Sequence, residues 1–125
     1  MYIYYNPNPS RKLVGDCVVR ALTKVLNSEW MKVYLELMVE GLKQSDMPSS
    51  NNVWGALLKS KGFKRKAIAN ECPDCYTVRH FCIDNPIGTY VLGTGSHVIA
   101  VEDGNYFDSW DSGDESPAYY FEKRK

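Results

Sequence analysis

The sequence predicts an α+β domain, with helices in its first half and strands in its second. Two observations carry this. Up to Gly62 the apolar residues recur at helical spacing, and from Phe63 onward most of the chain breaks into short runs punctuated by Gly and Asp-Gly. Helices followed by strands describe an α+β arrangement rather than alternating βαβ units. The chain has 125 residues, 44% hydrophobic and 24% charged, which suits one compact domain able to fold without disulfides or metal. No repeat, linker or low-complexity segment interrupts it, so one domain over 1–125 is expected.

The opening "YIYY" reads as a short aromatic strand stopped by the "NPNP" turn. From Asp16 to Leu26 the residues Val18, Val19, Ala21, Leu22, Val25 and Leu26 form a helical stripe, with Asp16 as N-cap and Cys17 at the first helical position. A second helix is expected from near Ser28 to a stop at Gly41, with Trp30, Val33, Tyr34, Leu37 and Met38 as its core stripe. The polar loop "KQSDMPSS" follows, then a third helix in "NNVWGALLKSKG" ending at Gly62. "FKRKAI" alternates like an edge strand, its charges discouraging edge pairing. "YTVRHFCIDNP" reads as a short helix with Thr77 as N-cap, and "GTYVLGTG", "SHVIAVED", "NYFDSWD" and "AYYFEK" as strands.

Charge and hydropathy exclude several functions. Fifteen Lys and Arg balance fifteen Asp and Glu, so no basic footprint for nucleic acid is present, and the terminal "EKRK" is a solvated end. No apolar run approaches the ~18–20 residues of a membrane span. The start "MYIYYNPNPS" lacks the charged-then-apolar pattern of a signal peptide, so a cytoplasmic protein with four reduced cysteines is expected.

Those cysteines raise the question of chemistry. "GDCVVRAL" sets Cys17 where a helix presents unpaired N–H groups and the positive end of its dipole. A thiolate there is stabilised, and the same N–H groups can receive an oxyanion. In "SHVIAVEDGNYFDSW", Asp103-Gly104 signals a two-residue turn. Glu102 then faces Asn105, Ile99 faces Asp108 and His97 faces Trp110. Alternation puts His97 and Asp108 on one face as diagonal neighbours, close enough for a carboxylate to orient an imidazole. One extra loop residue would turn Asp108 to the other face. Cys17, His97 and Asp108 are thus a nucleophile, base and orienter. Taken singly, a cysteine is most often core and a histidine heading a strand is most often structural.

These residues resemble the papain-like cysteine peptidase superfamily: a cysteine opening the first long helix, a histidine leading a later strand, and an Asp or Asn on the next. "DSW" at 108–110 is similar to the Asn-Ser-Trp of papain, with Asp in place of Asn. "GDCVVRAL" also resembles the cysteine block of OTU-type deubiquitinases, although there the acidic residue lies three positions before the cysteine and here it is adjacent. The resemblance spans 15–26 and about 88–112. It implies a papain-like fold, with the nucleophile at a helix N-terminus packed on an antiparallel sheet. It also implies cleavage of a peptide or isopeptide bond in a peptide or protein substrate, without cofactor, by a small enzyme of bacterial or phage type. In that family the Trp shields the histidine's hydrogen bond, a role that falls to Trp110. Arg11 stands near where the family places an oxyanion-hole Gln, which leaves Asn8 as the side-chain candidate and the Cys17 N–H as the backbone donor.

A competing pattern is "CPDCYTVRHFC", where Cys72 and Cys75 have the spacing of a zinc knuckle and His80 or Cys82 could complete it. His80 and Cys82 are two apart on a helix and point to different sides, so a full site is disfavoured. The alternatives to an enzyme are a binding module, zinc-stabilised through Cys72 and Cys75, or a pseudoenzyme with the peptidase fold.

Overall fold

A computed structural model describes residues 1–69 and 75–123. Among them the chain forms four helices and a six-stranded, mostly antiparallel sheet. In chain order these are β1 (Tyr2–Tyr4), α1 (Cys17–Val25), α2 (Trp30–Gln44), α3 (Asn51–Ser60), β2 (Phe63–Ala67), α4 (Val78–Asp84), β3 (Thr89–Gly93), β4 (Val98–Glu102), β5 (Asn105–Asp108) and β6 (Tyr119–Lys123). The strand order is β1-β5-β4-β3-β6-β2, with only β1 and β5 running parallel. The α+β expectation holds, and β2 is an edge strand with only Phe63 buried.

The sheet has two covered faces, which explains why β3 and β4 are buried almost throughout. Because side chains alternate along a strand, Val98 and Ala100 join Val91 and Phe121 in one core, against Leu22, Val33, Leu58 and Trp54 of the first three helices. Ile99 and Val101 point the other way, into a second core with Leu92, Tyr90, Tyr106 and the α4 residues Val78, Phe81 and Cys82. Helix α1 packs across β3, β4 and β5, and its first residues share a cleft with the turn that joins β3 to β4.

One helix boundary differs from expectation. Gly41 does not stop α2; the helix continues to Gln44, and Ser45 ends it in the left-handed conformation at φ 54°. Gly41 is buried because the returning chain presses on it: a Cβ there would lie 2.7 Å from the Asp46 carbonyl oxygen. The stripe predicted as core on α2 also divides. Val33 and Leu37 are buried, whereas Tyr34 is 45% exposed and stacks on Trp30 at 5.2 Å between ring centroids. Thr77 caps α4 as expected, in a reciprocal box: its hydroxyl accepts from the His80 N–H and its own N–H donates to His80 Nδ1.

Candidate active site

The hairpin forms in the predicted register. Glu102 pairs with Asn105, Val101 with Tyr106 and Ala100 with Phe107, around Asp103 and Gly104 at positive φ of 49° and 78°. Both signs suit a type I′ turn. His97 immediately precedes β4, and a short turn holds it: its N–H donates to Thr94 Oγ1 at 2.9 Å and its carbonyl accepts from the Thr94 N–H at 2.9 Å. Asp108 ends β5 and is fully buried, partly because β1 pairs alongside it and Tyr5 donates to its carbonyl.

His97 and Asp108 meet as the turn geometry predicts. His97 Nε2 lies 2.6 Å from Asp108 Oδ2. Trp110 lies against the imidazole, its ring centroid 4.9 Å away. With Nε2 committed to Asp108, Nδ1 is the ring nitrogen left for Cys17, whose thiol interacts with the His97 side chain. A cleft of about 580 Å³ joins the two, with Cys17, Val18 and Val19 from α1, His97 and Val98 from β4, and Trp30 from α2 among its walls. Folding therefore brings Cys17, His97, Asp108 and Trp110 together.

Electrostatics match the geometry. Burial raises the Cys17 pKa, but hydrogen bonding and charge from His97, hydrogen bonding from the Val98 backbone and the charge of Arg20 outweigh it, so the thiol is held below its ordinary value. Burial alone would lower the His97 pKa. Its bonds to Asp108 and Cys17 prevail and push it up to about 9. Asp108 is likewise held below the usual carboxylate range: burial opposes ionisation, and hydrogen bonds from His97 and Ser112 with the charges of His97 and Arg20 overcome it.

Asp16 corrects one expectation. It occupies the N-cap position, and its carbonyl accepts from the Arg20 N–H, but its carboxylate makes no capping bond. That carboxylate bonds Arg20 Nη1 at 2.6 Å and Trp30 Nε1 at 2.9 Å instead. The first-turn N–H groups, which have no helical acceptor, thus have no side-chain cap and sit at the cleft. Asn8 corrects another. Its Oδ1 accepts from the Ser10 and Lys12 N–H groups, which folds the 8–12 loop, and it is not among the residues lining the cleft.

Two further residues escaped the sequence reading. Arg20, 4% exposed, bonds Asp108 Oδ1 through Nη2 at 3.0 Å while holding Asp16. The Asp16–Arg20 spacing of i,i+4 was the available signal, since it pairs charges on one helix face. Ser112 donates to Asp108 Oδ2 at 2.7 Å, and nothing local in "DSWDSG" announces that contact.

The zinc alternative fares differently. Cys72 lies outside the described residues. Cys75 is disulfide-bonded, contrary to the expectation of four reduced thiols. His80 Nδ1 is engaged in the α4 cap, and Cys82 is buried in the second core, where burial raises its pKa. Among the described residues no three His, Cys, Asp or Glu are grouped to hold a metal, and no helix is long and apolar enough to cross a membrane. In comparison with known proteins, the chain matches no family model, no curated protein and no solved structure.

Proposed function

We propose that this protein is a papain-like thiol hydrolase that cleaves an amide bond of a peptide or protein through Cys17, His97 and Asp108. The observation that carries the proposal is a thiol at a helix N-terminus facing an imidazole whose far nitrogen is bonded, at 2.6 Å, to a buried carboxylate. The Cys17 thiolate attacks the substrate carbonyl carbon, and the displaced electron pair forms an oxyanion beside the first-turn N–H groups. As the tetrahedral species collapses, the C–N bond breaks and protonated His97 gives its Nδ1 proton to the departing amine. Neutral His97 then takes a proton from water as the water oxygen attacks the thioester carbon, and the C–S bond breaks to release the acid and restore the Cys17 thiolate. If an amine replaces water, the same intermediate leads to acyl transfer. Asp108 holds the ring through Nε2 in both halves, and Trp110 screens that bond from water.

The cleft favours an uncharged, apolar substrate side chain. Val14, Trp30, Tyr34, Leu37 and Pro48 line it, and the carboxylate of Asp16 is already paired with Arg20. Activity should follow a bell-shaped pH profile. The acid limb reflects protonation of the depressed Cys17 thiolate, and the alkaline limb, near pH 9, loss of the His97 proton.

The test is iodoacetamide alkylation across pH, resolved cysteine by cysteine by peptide mass mapping. Cys17 should react with a midpoint well below the free-thiol value of about 8.5, and His97→Ala should raise that midpoint. A Cys17 that titrates like a free thiol in both proteins would remove the proposal's support.

A further inference from the structure

A nucleophile, a base and an orienter do not require a buried guanidinium, yet Arg20 lies at the back of this triad bridging two carboxylates. Its Nη1 bonds Asp16 and its Nη2 bonds Asp108. We propose that Arg20 is a positioning residue: by bridging Asp16 and Asp108 it fixes the Asp108 carboxylate toward His97 and ties it to the helix that carries Cys17. This rests on the thiol-hydrolase reading for its catalytic meaning, though the geometry it describes can be tested without it.

The bonding of Asp108 supports the role. Its Oδ1 accepts from Arg20 Nη2 at 3.0 Å and from the Ser109 N–H at 2.8 Å. Its Oδ2 meets His97 Nε2 at 2.6 Å and the Ser112 hydroxyl at 2.7 Å. Four donors thus fill the acceptor sites of one carboxylate. An asparagine here would turn an NH₂ group toward one pair of donors or the other, which accounts for Asp where papain has Asn.

Charge gives the second argument. Around the carboxylate stand His97, Arg20, Asp16 beyond Arg20, Ser112, and Tyr2 from β1, whose hydroxyl donates to the Asp108 carbonyl. Tyr2 also feels the charge of Asp111, and Cys17 feels His97 and Arg20. Arg20 is the group in this set that stays cationic across the working pH range. It can therefore keep Asp108 ionised whether His97 is protonated or neutral. Its planar fork spans two carboxylates, which a lysine ammonium does not do with comparable geometry.

Position gives the third. Arg20 lies three residues after Cys17 on α1, on an adjacent part of the same helix face. Through it the end of β5 is locked to the nucleophile's helix. By drawing the Asp16 carboxylate away from the N-cap, Arg20 also leaves the first-turn N–H groups uncapped beside the cleft.

The experiment compares the full chain with Arg20→Met, Arg20→Lys and His97→Ala, using iodoacetamide alkylation of Cys17 across pH and the proton NMR signal of the His97 ring N–H. In Arg20→Met the alkylation rate at pH 6 should fall severalfold, because the loss of the guanidinium charge and of the Asp108 tether raises the Cys17 midpoint. The ring N–H signal, which the buried bond to Asp108 should hold downfield and slow to exchange in the parent, should broaden into solvent exchange. Arg20→Lys should recover part of the midpoint, because the charge is kept, without restoring the ring signal. A folded Arg20→Met with the parent's pH profile and ring signal would overturn the proposal. If Arg20→Met does not fold, Arg20→Lys and Asp16→Asn decide, and unchanged profiles and ring signals in both overturn it. Should parent Cys17 titrate as a free thiol indifferent to His97→Ala, the hydrolase reading fails by itself. The ring signal in the Arg20 variants then still supports or overturns the positioning role.

Discussion

At the scale of single residues, the site is a set of groups whose proton affinities depend on one another. Cys17 helps to raise the His97 pKa, and His97 helps to lower that of Cys17. In Cys17→Ala the His97 midpoint should therefore fall from about 9, yet stay above 6.5 because Asp108 still holds the ring. An NMR titration of the His97 ring protons measures this, and a midpoint unchanged from the parent would deny the Cys17–His97 contact. With no thiol at position 17, the sign of the stability effect is simple. The raised His97 pKa contributes stability that is complete below about pH 6.5 and is lost as pH rises through its folded value. Thermal melts of Cys17→Ala across that range should show the decline, and Cys17→Ala/His97→Ala should lack it.

At the scale of elements, the β4–β5 hairpin decides whether His97 meets Asp108. Its two-residue turn puts Asp103 at φ 49° and Gly104 at φ 78°, conformations that glycine adopts freely and most residues do not. Gly104→Ala should destabilise the protein by about 1–2 kcal/mol, measured by urea denaturation. Its Cβ would meet the Cys82 carbonyl and Pro86 at about van der Waals contact, 3.4 Å, so the cost comes from the backbone conformation rather than from a clash. Inserting one glycine after Gly104 tests register instead. If the extra residue displaces β5 by one position, Asp108 turns from His97, and Cys17 alkylation at pH 6 should fall toward that of a free thiol. A parent-like rate with the insertion would mean that the site does not depend on hairpin register.

At the scale of the whole molecule, one sheet serves two cores, and stability should be shared between them. Leu58 on the α1–α3 side and Leu92 on the α4 side are both fully buried. Leu58→Ala and Leu92→Ala should each cost about 2–5 kcal/mol in urea. Because β3 and β4 contribute to both faces, unfolding should be a single transition. The methyl NMR signals of Leu58 in the first core and Leu92 in the second, followed through urea, provide separate probes. Coincident transitions are expected, and separated ones would show that the two cores unfold independently.

The sequence alone determined what short-range physics can specify. Asp103-Gly104 defines a turn, the turn defines which residues pair, and pairing with alternation predicts that His97 meets Asp108. Likewise Cys17 opens a helix because an apolar stripe at helical spacing begins just after Asp16, and Thr77 caps α4 through contacts three residues away. Only the tertiary structure decided that residues 17 and 97 share one cleft, because local periodicity carries no information about contacts between distant segments. It also decided that Trp30 and Tyr34 line that cleft rather than the core, since an amphipathic stripe does not say which part its neighbours cover. The same holds for Asp16. A carboxylate at an N-cap ordinarily bonds the first turn, but here Arg20 and the Trp30 indole offer it stronger or additional donors, and those exist only once α1, α2 and β5 have packed together.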